Sequence, residues 1–452
     1  MTTSAEVEST QAARLRPRAW LAPIIVLTLF SALLGTMYLA YVVDPEKNLH
    51  DFPIALVNQD QGDVTGPPEA QQRVNFGDQV AAAMKQGIPT DKVDLRELGI
   101  NEAELQMQSG KVYGTIIIPS DFSKRLGILG VGSVIPGDIQ KPTITLQTNP
   151  RTGAFVTNIV QKVGNEALAQ VDTQVGKQLT QQVQTQLAPP GGGPAPELTG
   201  ATRLALADPV DIIVEPFRQL PSGTGEGLTA FFYALLLLLA GLIGSMTVHT
   251  MIDAALGVVP TEYGPWFVHY PRTHLSRFKT LLIKWGVMLV ISVLVSGVFV
   301  LVGKALDMPI TNSFTLYLYG VLAIAAVGIT GLAILAAIGS AGLLVNMILF
   351  IVLGLPSSGG TVPIEATPRY LGWLAQFEPM HQVFLGVRAI LYFDGNLQAG
   401  LARGVWMALL GMAVGLVLGV LVTRFYDRKG LHRGSSIVVD DSGASVDNRT
   451  AD

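Results

Sequence analysis

The sequence has no cysteine, and this absence excludes a disulfide framework, a cysteine-ligated metal or iron–sulfur site and a thiol nucleophile. It is also poor in charge, because charged residues make up 14% of the 452 residues, where a soluble domain carries roughly 25%. The net charge of −4 differs from that of a nucleic-acid-binding protein, which would be basic, so no nucleic-acid partner is predicted. Hydrophobic residues make up 49% and the mean hydropathy is +0.43, which excludes a disordered chain and favours a membrane protein.

Common enzyme motifs are absent as well. The chain contains no G-x-x-x-x-G-K-[ST] nucleotide loop, no H-E-x-x-H and no G-x-S-x-G. The 6 histidines are scattered without the spacing of metal ligands. We therefore predict no catalytic residue, no metal and no cofactor, and we expect that the protein is not an enzyme. A permease energised by a separate ATPase subunit is compatible with this pattern.

Six apolar stretches are candidates for membrane spans, since a helix needs roughly 20 apolar residues to cross a bilayer. The first is too long for a signal peptide and has no small-residue cleavage site after it, so it is predicted to be retained. The predicted fold class is a polytopic α-helical membrane protein, with a large extracytoplasmic α/β domain between the first and second helices. The six predicted helices are 20–43, 228–251, 280–303, 315–337, 340–355 and 404–424, of which the last five form a membrane domain over 227–424.

The distribution of Lys and Arg predicts the direction of the spans. With six spans, three basic clusters fall on one side of the membrane, which the positive-inside rule makes the cytoplasm. Both termini of this multi-pass cell-membrane protein are thus predicted to be cytoplasmic, with disordered tails at 1–19 and 425–452. Lys284 and Asp253 lie near predicted cytoplasmic helix ends, where Lys284 can snorkel towards water. The clusters are Arg14, Arg16 and Arg18; Arg272, Arg277 and Lys279; and Arg424, Arg428, Lys429 and Arg433.

The region 44–226 differs sharply in composition from the spans, because it is polar and Gln-rich. Alternating and β-branched runs separated by capped helical stretches give the order β-α-β-α-β-β, which is typical of a small α/β domain. A long helix follows at 152–187, with apolar residues at steps of three and four along one face. That face either packs on its own domain or forms a dimer stalk. A flexible Pro/Gly linker is predicted at 188–200.

The segment 370–393 is long enough to span but contains Glu378, His381 and Arg388. Ionisable groups are costly at the centre of a bilayer, so we predict a re-entrant or interfacial element on the outer side. A step of seven residues places His381 and Arg388 on one helical face, and Pro379 suits a first helical turn. These three residues are candidates for a substrate path, unless the segment lies shallowly and they face water or headgroups.

An aromatic and basic segment between the second and third spans is the only long cytoplasmic loop between spans. Two interpretations remain open. Its aromatic residues anchor the helices at the headgroups, or the segment docks an ATPase subunit. The docking candidates are Glu262, Trp266, Phe267 and Arg272.

Three glycines, Gly411, Gly415 and Gly419, are spaced four apart in the sixth span. Small residues at this spacing allow close approach of another helix. They serve helix packing within one subunit or at the seam of a homodimer or heterodimer.

Several phrases of the sequence occur in an order known from one group of proteins. They are FPIALVNQDQG, GKVYGTIIIPSDFS, PSGTGEGLTAFFYALLLLLAGLIGS, and LPSSGGTVPIE with FEPMHQVFLGVRAILYF. Together these phrases resemble the YhgE/Pip group of the ABC type-2 permease superfamily, over nearly the whole chain between the tails. The resemblance implies six spans, a large external domain after the first, and a role in export or at the cell surface.

Two functions follow as hypotheses. One is a permease subunit of an ABC type-2-like exporter of a hydrophobic or amphiphilic molecule. The other is a cell-surface receptor or assembly scaffold whose external domain binds a partner, as the phage-infection proteins of the resembled group suggest. Six spans exceed what an anchor needs, which favours the exporter.

Overall fold

In the computed structural model, the described residues are 17–65, 72–132, 140–187, 198, 200–431, 437–439 and 445–447. The predicted amino-terminal tail lies outside them up to residue 16. The predicted linker 188–200 lies outside them except for residues 198 and 200. Most of the predicted tail beyond residue 431 also lies outside the described residues.

The polar region after the first apolar helix contains a five-stranded mixed sheet, and we refer to residues 44–226 as the α/β domain. Its strand order is β4-β1-β5-β6-β7, in which β5 and β6 are antiparallel and the other neighbours are parallel. The elements up to the end of this domain are α1 (Pro17–Val42), β1 (Phe52–Asn58), β2 (Asp63–Thr65), β3 (Gln72–Val74), α2 (Phe76–Gly87), β4 (Val93–Glu97), α3 (Ile100–Gln108), β5 (Gly114–Ile118), α4 (Phe122–Gly132), β6 (Thr143–Thr148), α5 (Ala154–Leu187), α6 (Gly200–Ala207) and β7 (Asp211–Pro216).

Local sequence accounts for these elements. The strand β1 is an apolar run buried along nearly its whole length, because β4 and β5 flank it and helices cover the sheet. The helix α2 begins where the Asn75 side chain accepts a hydrogen bond from the Asp78 backbone N–H. The long helix α5 buries its apolar stripe against α2, α4, α6 and the sheet. Of the two interpretations of this apolar face, packing on its own domain or a dimer stalk, the structure shows the first.

The second half of the chain is mainly helical. Among the described residues, five helices are long and apolar enough to cross a membrane, and they are α1, α7, α8, α9 and α13. The elements of this half are α7 (Leu228–Ala255), β8 (Thr261–Tyr263), β9 (Trp266–Val268), α8 (Arg277–Ala305), α9 (Ser313–Ile338), α10 (Ala341–Met347), α11 (Arg369–Ala375), α12 (Pro379–Tyr392), α13 (Leu401–Arg428), β10 (Ile437–Val439) and β11 (Ser445–Asp447).

The span predicted at 340–355 is not confirmed as a full membrane helix. It consists of the seven-residue α10 followed by a five-residue π turn, Ile348–Val352, which is shorter than the roughly 20 residues that a span needs. Asn346 donates to the Gly331 carbonyl oxygen at 3.1 Å, so α10 runs back along the end of α9. Regular helix then ends in turns rich in Gly, Pro and Ser.

The segment 351–392 contacts both α1 and the α/β domain. Tyr38 of α1 donates to the Ile351 carbonyl oxygen at 3.1 Å, and the hydroxyls of Tyr41 and Thr361 are hydrogen-bonded. Arg151 of the α/β domain donates to the Tyr392 carbonyl oxygen at 2.6 Å. These contacts join residues that are far apart in the chain.

Candidate functional site

A polar cavity of about 270 Å³ lies between the α/β domain and the segment 359–403. The domain contributes Tyr113, which directly precedes β5, together with residues at the start of α5. The other walls come from the 3₁₀ turn Ile364–Ala366, from α11 and α12, and from the first turn of α13. Because these elements are distant in sequence, the cavity forms only when the α/β domain packs against the helix bundle.

One wall is a Tyr–Glu pair that joins the domain to the bundle. The Tyr113 hydroxyl donates to Glu365, with its two carboxylate oxygens at 3.1 and 3.0 Å. Burial raises the pKa of Glu365 above its usual value, and the Tyr113 hydrogen bond and the nearby Arg388 charge partly oppose this rise. Burial also raises the pKa of Tyr113 well above its usual value, so this hydroxyl stays protonated and acts as the donor.

The helix α12 contributes two of the predicted substrate-path residues to the cavity wall. His381 and Arg388 lie on the same side of α12 and both line the cavity. The His381 Nδ1 atom is 2.8 Å from the Ser358 carbonyl oxygen, and since that oxygen only accepts, Nδ1 carries the proton. The Arg388 guanidinium lies over the rings of Phe384 and Phe393, at 5.4 and 5.7 Å from their centroids.

The third predicted residue, Glu378, is placed elsewhere. It is buried at the amino-terminal end of α12, where its carboxylate accepts from the His381 backbone N–H at 3.0 Å. Pro379 occupies the first turn of that helix, as its sequence position suggested. Glu378 does not line the cavity, and its position is that of a helix cap.

Sequence reasoning missed three residues of this site: Tyr113, Glu365 and Arg403. Arg403 lies in the first turn of α13, lines the cavity and donates from Nε to the Gln382 side-chain oxygen at 3.0 Å. A single Arg at the edge of a span is usually an interfacial anchor, so the sequence position of Arg403 did not indicate a binding site. Tyr113 and Glu365 are 252 residues apart, and no local spacing relates them.

At the other end of α7 and α8, the predicted docking segment folds as a β-hairpin, β8–β9, which we call the aromatic hairpin (residues 261–268). Gly264, with a φ of 57°, and Pro265 form its two-residue turn. Trp266 and Phe267 are 72% and 65% exposed. The docking candidate Glu262 is paired with Phe267 in the hairpin, and Arg272 is exposed beyond it.

A buried charge cluster lies between α7 and α8. The Lys284 Nζ atom is 2.6 Å from Asp253 Oδ1 and 3.1 Å from His249 Nδ1, and His249 Nε2 is 3.4 Å from Asp253 Oδ2. Lys284 and Asp253 are 2% and 4% exposed. The expectation that Lys284 snorkels to water is wrong, because a carboxylate one helix away neutralises its charge inside the protein.

The family described as ABC-2 family transporter protein matches residues 19–422, which is most of the chain. The chain belongs to the ABC-2 transporter family. No curated protein matches it. The predicted superfamily is thus confirmed, and so is the coarse prediction of a multi-pass membrane protein, since five described helices of this ABC-2 protein are long enough to span.

The three glycines of the last span differ in what surrounds them in this ABC-2 chain. A Cβ atom on Gly415 would lie 2.6 Å from the Thr330 hydroxyl oxygen, and one on Gly419 would lie 2.6 Å from a Trp285 ring carbon. A Cβ atom on Gly411 meets nothing within 4 Å. Gly415 and Gly419 therefore permit the close approach of α13 to α9 and α8 within one subunit, whereas Gly411 leaves room on an exposed face.

Proposed function

We propose that this chain is the membrane permease subunit of an ABC-2-type exporter of a hydrophobic or amphiphilic molecule, energised by a separate ATPase. The observation that carries this proposal is the family match over residues 19–422. The sequence has no nucleotide-binding loop, so the energy of ATP hydrolysis must come from another chain. The chain itself then catalyses no reaction and forms a homodimer or heterodimer in the complex.

The orientation proposed for the exporter places both termini in the cytoplasm and the α/β domain outside the cell membrane. The three clusters of Lys and Arg support it. This orientation requires six membrane crossings, of which five are the long apolar helices. We assign the sixth to the irregular segment 339–361, which begins after α9 and contacts Tyr41, near the end of α1, through Thr361.

The orientation is testable because the chain has no native cysteine. We expect Gln184→Cys to be labelled by a membrane-impermeant maleimide in intact cells, since Gln184 is exposed on α5 of the α/β domain. Thr273→Cys, placed in the loop after the aromatic hairpin, is the matched control and should be labelled only after lysis. The reverse pattern would reject this orientation.

The aromatic hairpin is the surface we assign to the ATPase. Its strands are three residues each, too short to be stable alone, and they leave two large aromatic side chains exposed on the protein surface. Aromatic anchors of this kind fill grooves on partner proteins, with Glu262 and Arg272 at the polar rim. Affinity purification of the full chain in a mild detergent is expected to retain an ATPase. Repeated recovery of the chain without one would reject the exporter.

The receptor or scaffold remains the second candidate, in keeping with the resemblance to the YhgE/Pip group. The observation that favours it is a separate open cavity of about 240 Å³ in the α/β domain, lined by the end of α2 and by α5. A receptor needs no energy source, so a chain that functions normally after loss of its ATPase would support this candidate.

A further inference from the structure

We propose that the cavity between the α/β domain and α12 binds the anionic headgroup of a membrane amphiphile whose apolar chains stay outside, against the helices. This inference rests on the proposed exporter function and names the chemical class of its substrate. It follows from the charge of the cavity, from its position at an aromatic surface and from its size.

Cationic side chains dominate the charge of the cavity. Arg388 and Arg403 both line it, and the one carboxylate on its wall, Glu365, already accepts the Tyr113 hydrogen bond. Within the described part of the chain, the buried Nε atom of Arg388 has no hydrogen-bond partner. Buried donors without partners are rare in folded proteins, and a planar guanidinium matches the oxygens of a phosphate or carboxylate. The cavity is therefore suited to an anion.

The helix α11 lies between this cavity and an exposed aromatic surface. One side of the helix and its following turn exposes Tyr370, Trp373 and Phe377, which are 50%, 64% and 62% exposed, with the Trp373 and Phe377 rings 5.6 Å apart. The other side contributes Gly372, Ala375 and Gln376 to the cavity wall. Exposed aromatic rings on a short amphipathic helix lie at the headgroup level of a bilayer. The wall of the cavity is thus in reach of a lipid headgroup, which favours an amphiphile over a free anion.

The size of the cavity agrees with a headgroup and excludes a whole lipid. At about 270 Å³ it is just below the range of roughly 300–1,000 Å³ that holds a drug-sized ligand. The acyl chains must then remain outside the cavity, where the exposed apolar faces of the membrane helices accommodate them.

The test is native mass spectrometry of the purified full-length chain in detergent, titrated with phosphatidylglycerol, with phosphatidylcholine and with inorganic phosphate. We expect phosphatidylglycerol to bind more tightly than phosphatidylcholine, and inorganic phosphate not to displace it at equal concentration. The double variant Arg388→Gln with Arg403→Gln should weaken phosphatidylglycerol binding by about tenfold or more, because charge-assisted hydrogen bonds are lost.

The matched control is Arg369→Gln, an exposed arginine of α11 outside the cavity, which should bind like the wild type. If the double variant does not fold, the test is the phosphatidylglycerol binding of Arg403→Gln alone. Arg403 is exposed, so its replacement leaves no cavity inside the protein. Equal binding of the two lipids, or undiminished binding by the Arg variants, would overturn the inference. Displacement by phosphate at equal concentration would overturn it as well, by indicating a free anion.

This binding measurement needs no ATPase and no transport. A chain that binds phosphatidylglycerol through these arginines but never associates with an ATPase would keep the headgroup site and reject the exporter. A chain that exports but shows no arginine-dependent lipid binding would reject only the headgroup site.

Discussion

Replacing Trp266 and Phe267 together by alanine is expected to abolish export while leaving the amount of membrane-inserted chain unchanged. The two side chains are largely exposed on the aromatic hairpin, so their removal leaves no cavity in the helix bundle. A pair of aromatic anchors at the centre of an interface contributes about 2–4 kcal/mol each to association, which is enough to release a partner subunit. The measurements are export by cells and recovery of the ATPase with the purified chain.

The control for this variant is Phe314→Ala with Trp406→Ala. These aromatic residues are 69% and 71% exposed, as the hairpin pair is, but they lie at the opposite end of α9 and α13. Export should survive their loss. The anchor interpretation expects instead that the hairpin variant lowers the amount of folded protein, because interfacial aromatics hold helices at depth. A hairpin variant that is well folded and fully active would reject docking and favour the receptor.

Lys284→Met is expected to destabilise the chain by about 3–5 kcal/mol, because it leaves the buried Asp253 carboxylate without its 2.6 Å partner. His249 also contacts both charges, so the change disturbs a closed cluster of three side chains on α7 and α8. The measurement is the thermal unfolding of the purified chain in detergent, with the midpoint compared with that of the wild type.

Two further variants make this result specific. Lys304→Met, at the exposed far end of α8, should change the unfolding free energy by less than about 0.5 kcal/mol. Lys284→Met combined with Asp253→Leu should recover most of the lost stability, since removing both charges of a buried pair is often neutral. If the single Lys284 variant unfolds like the wild type, the cluster does not stabilise the bundle.

Much of the fold follows from local patterns in the sequence. Long uncharged runs predict helices across a membrane, because a helix satisfies its own backbone hydrogen bonds and a bilayer sets its length. Five such helices lie where they were predicted. The strands β1, β4, β5 and β6 also follow, since β-branched runs and alternation suit a pleated, buried surface. The short strands β2 and β3 and the helix α4 are absent from the predicted order. Capping residues such as Asn75 define where a helix starts, through a hydrogen bond to a residue only three positions further along the chain.

The segment 340–355 shows a feature that local patterns do not predict, because it does not form the full membrane helix expected from its hydropathy. Its composition is mostly apolar, yet the α-helix 341–347 gives way to a π turn at 348–352 and then to Gly- and Ser-rich turns. Hydropathy records only that this segment tolerates an apolar environment. Contacts with α9 and α1, through Asn346 and Tyr38, determine that it bends.

Composition and local pattern are enough to indicate the family-level character of this protein: apolar helices, a polar α/β insert, no nucleotide loop and an aromatic loop between spans. Packing between elements that are distant in the sequence, by contrast, places Tyr113 and Glu365 around one cavity with Arg388 and Arg403, and pairs Lys284 with Asp253. It also decided that Gly415 packs against a neighbouring helix while Gly411 faces open space. The reason is physical. Helix and strand formation depend on neighbours within a few residues, whereas a charge pair or a cavity depends on packing between elements that are far apart in the chain.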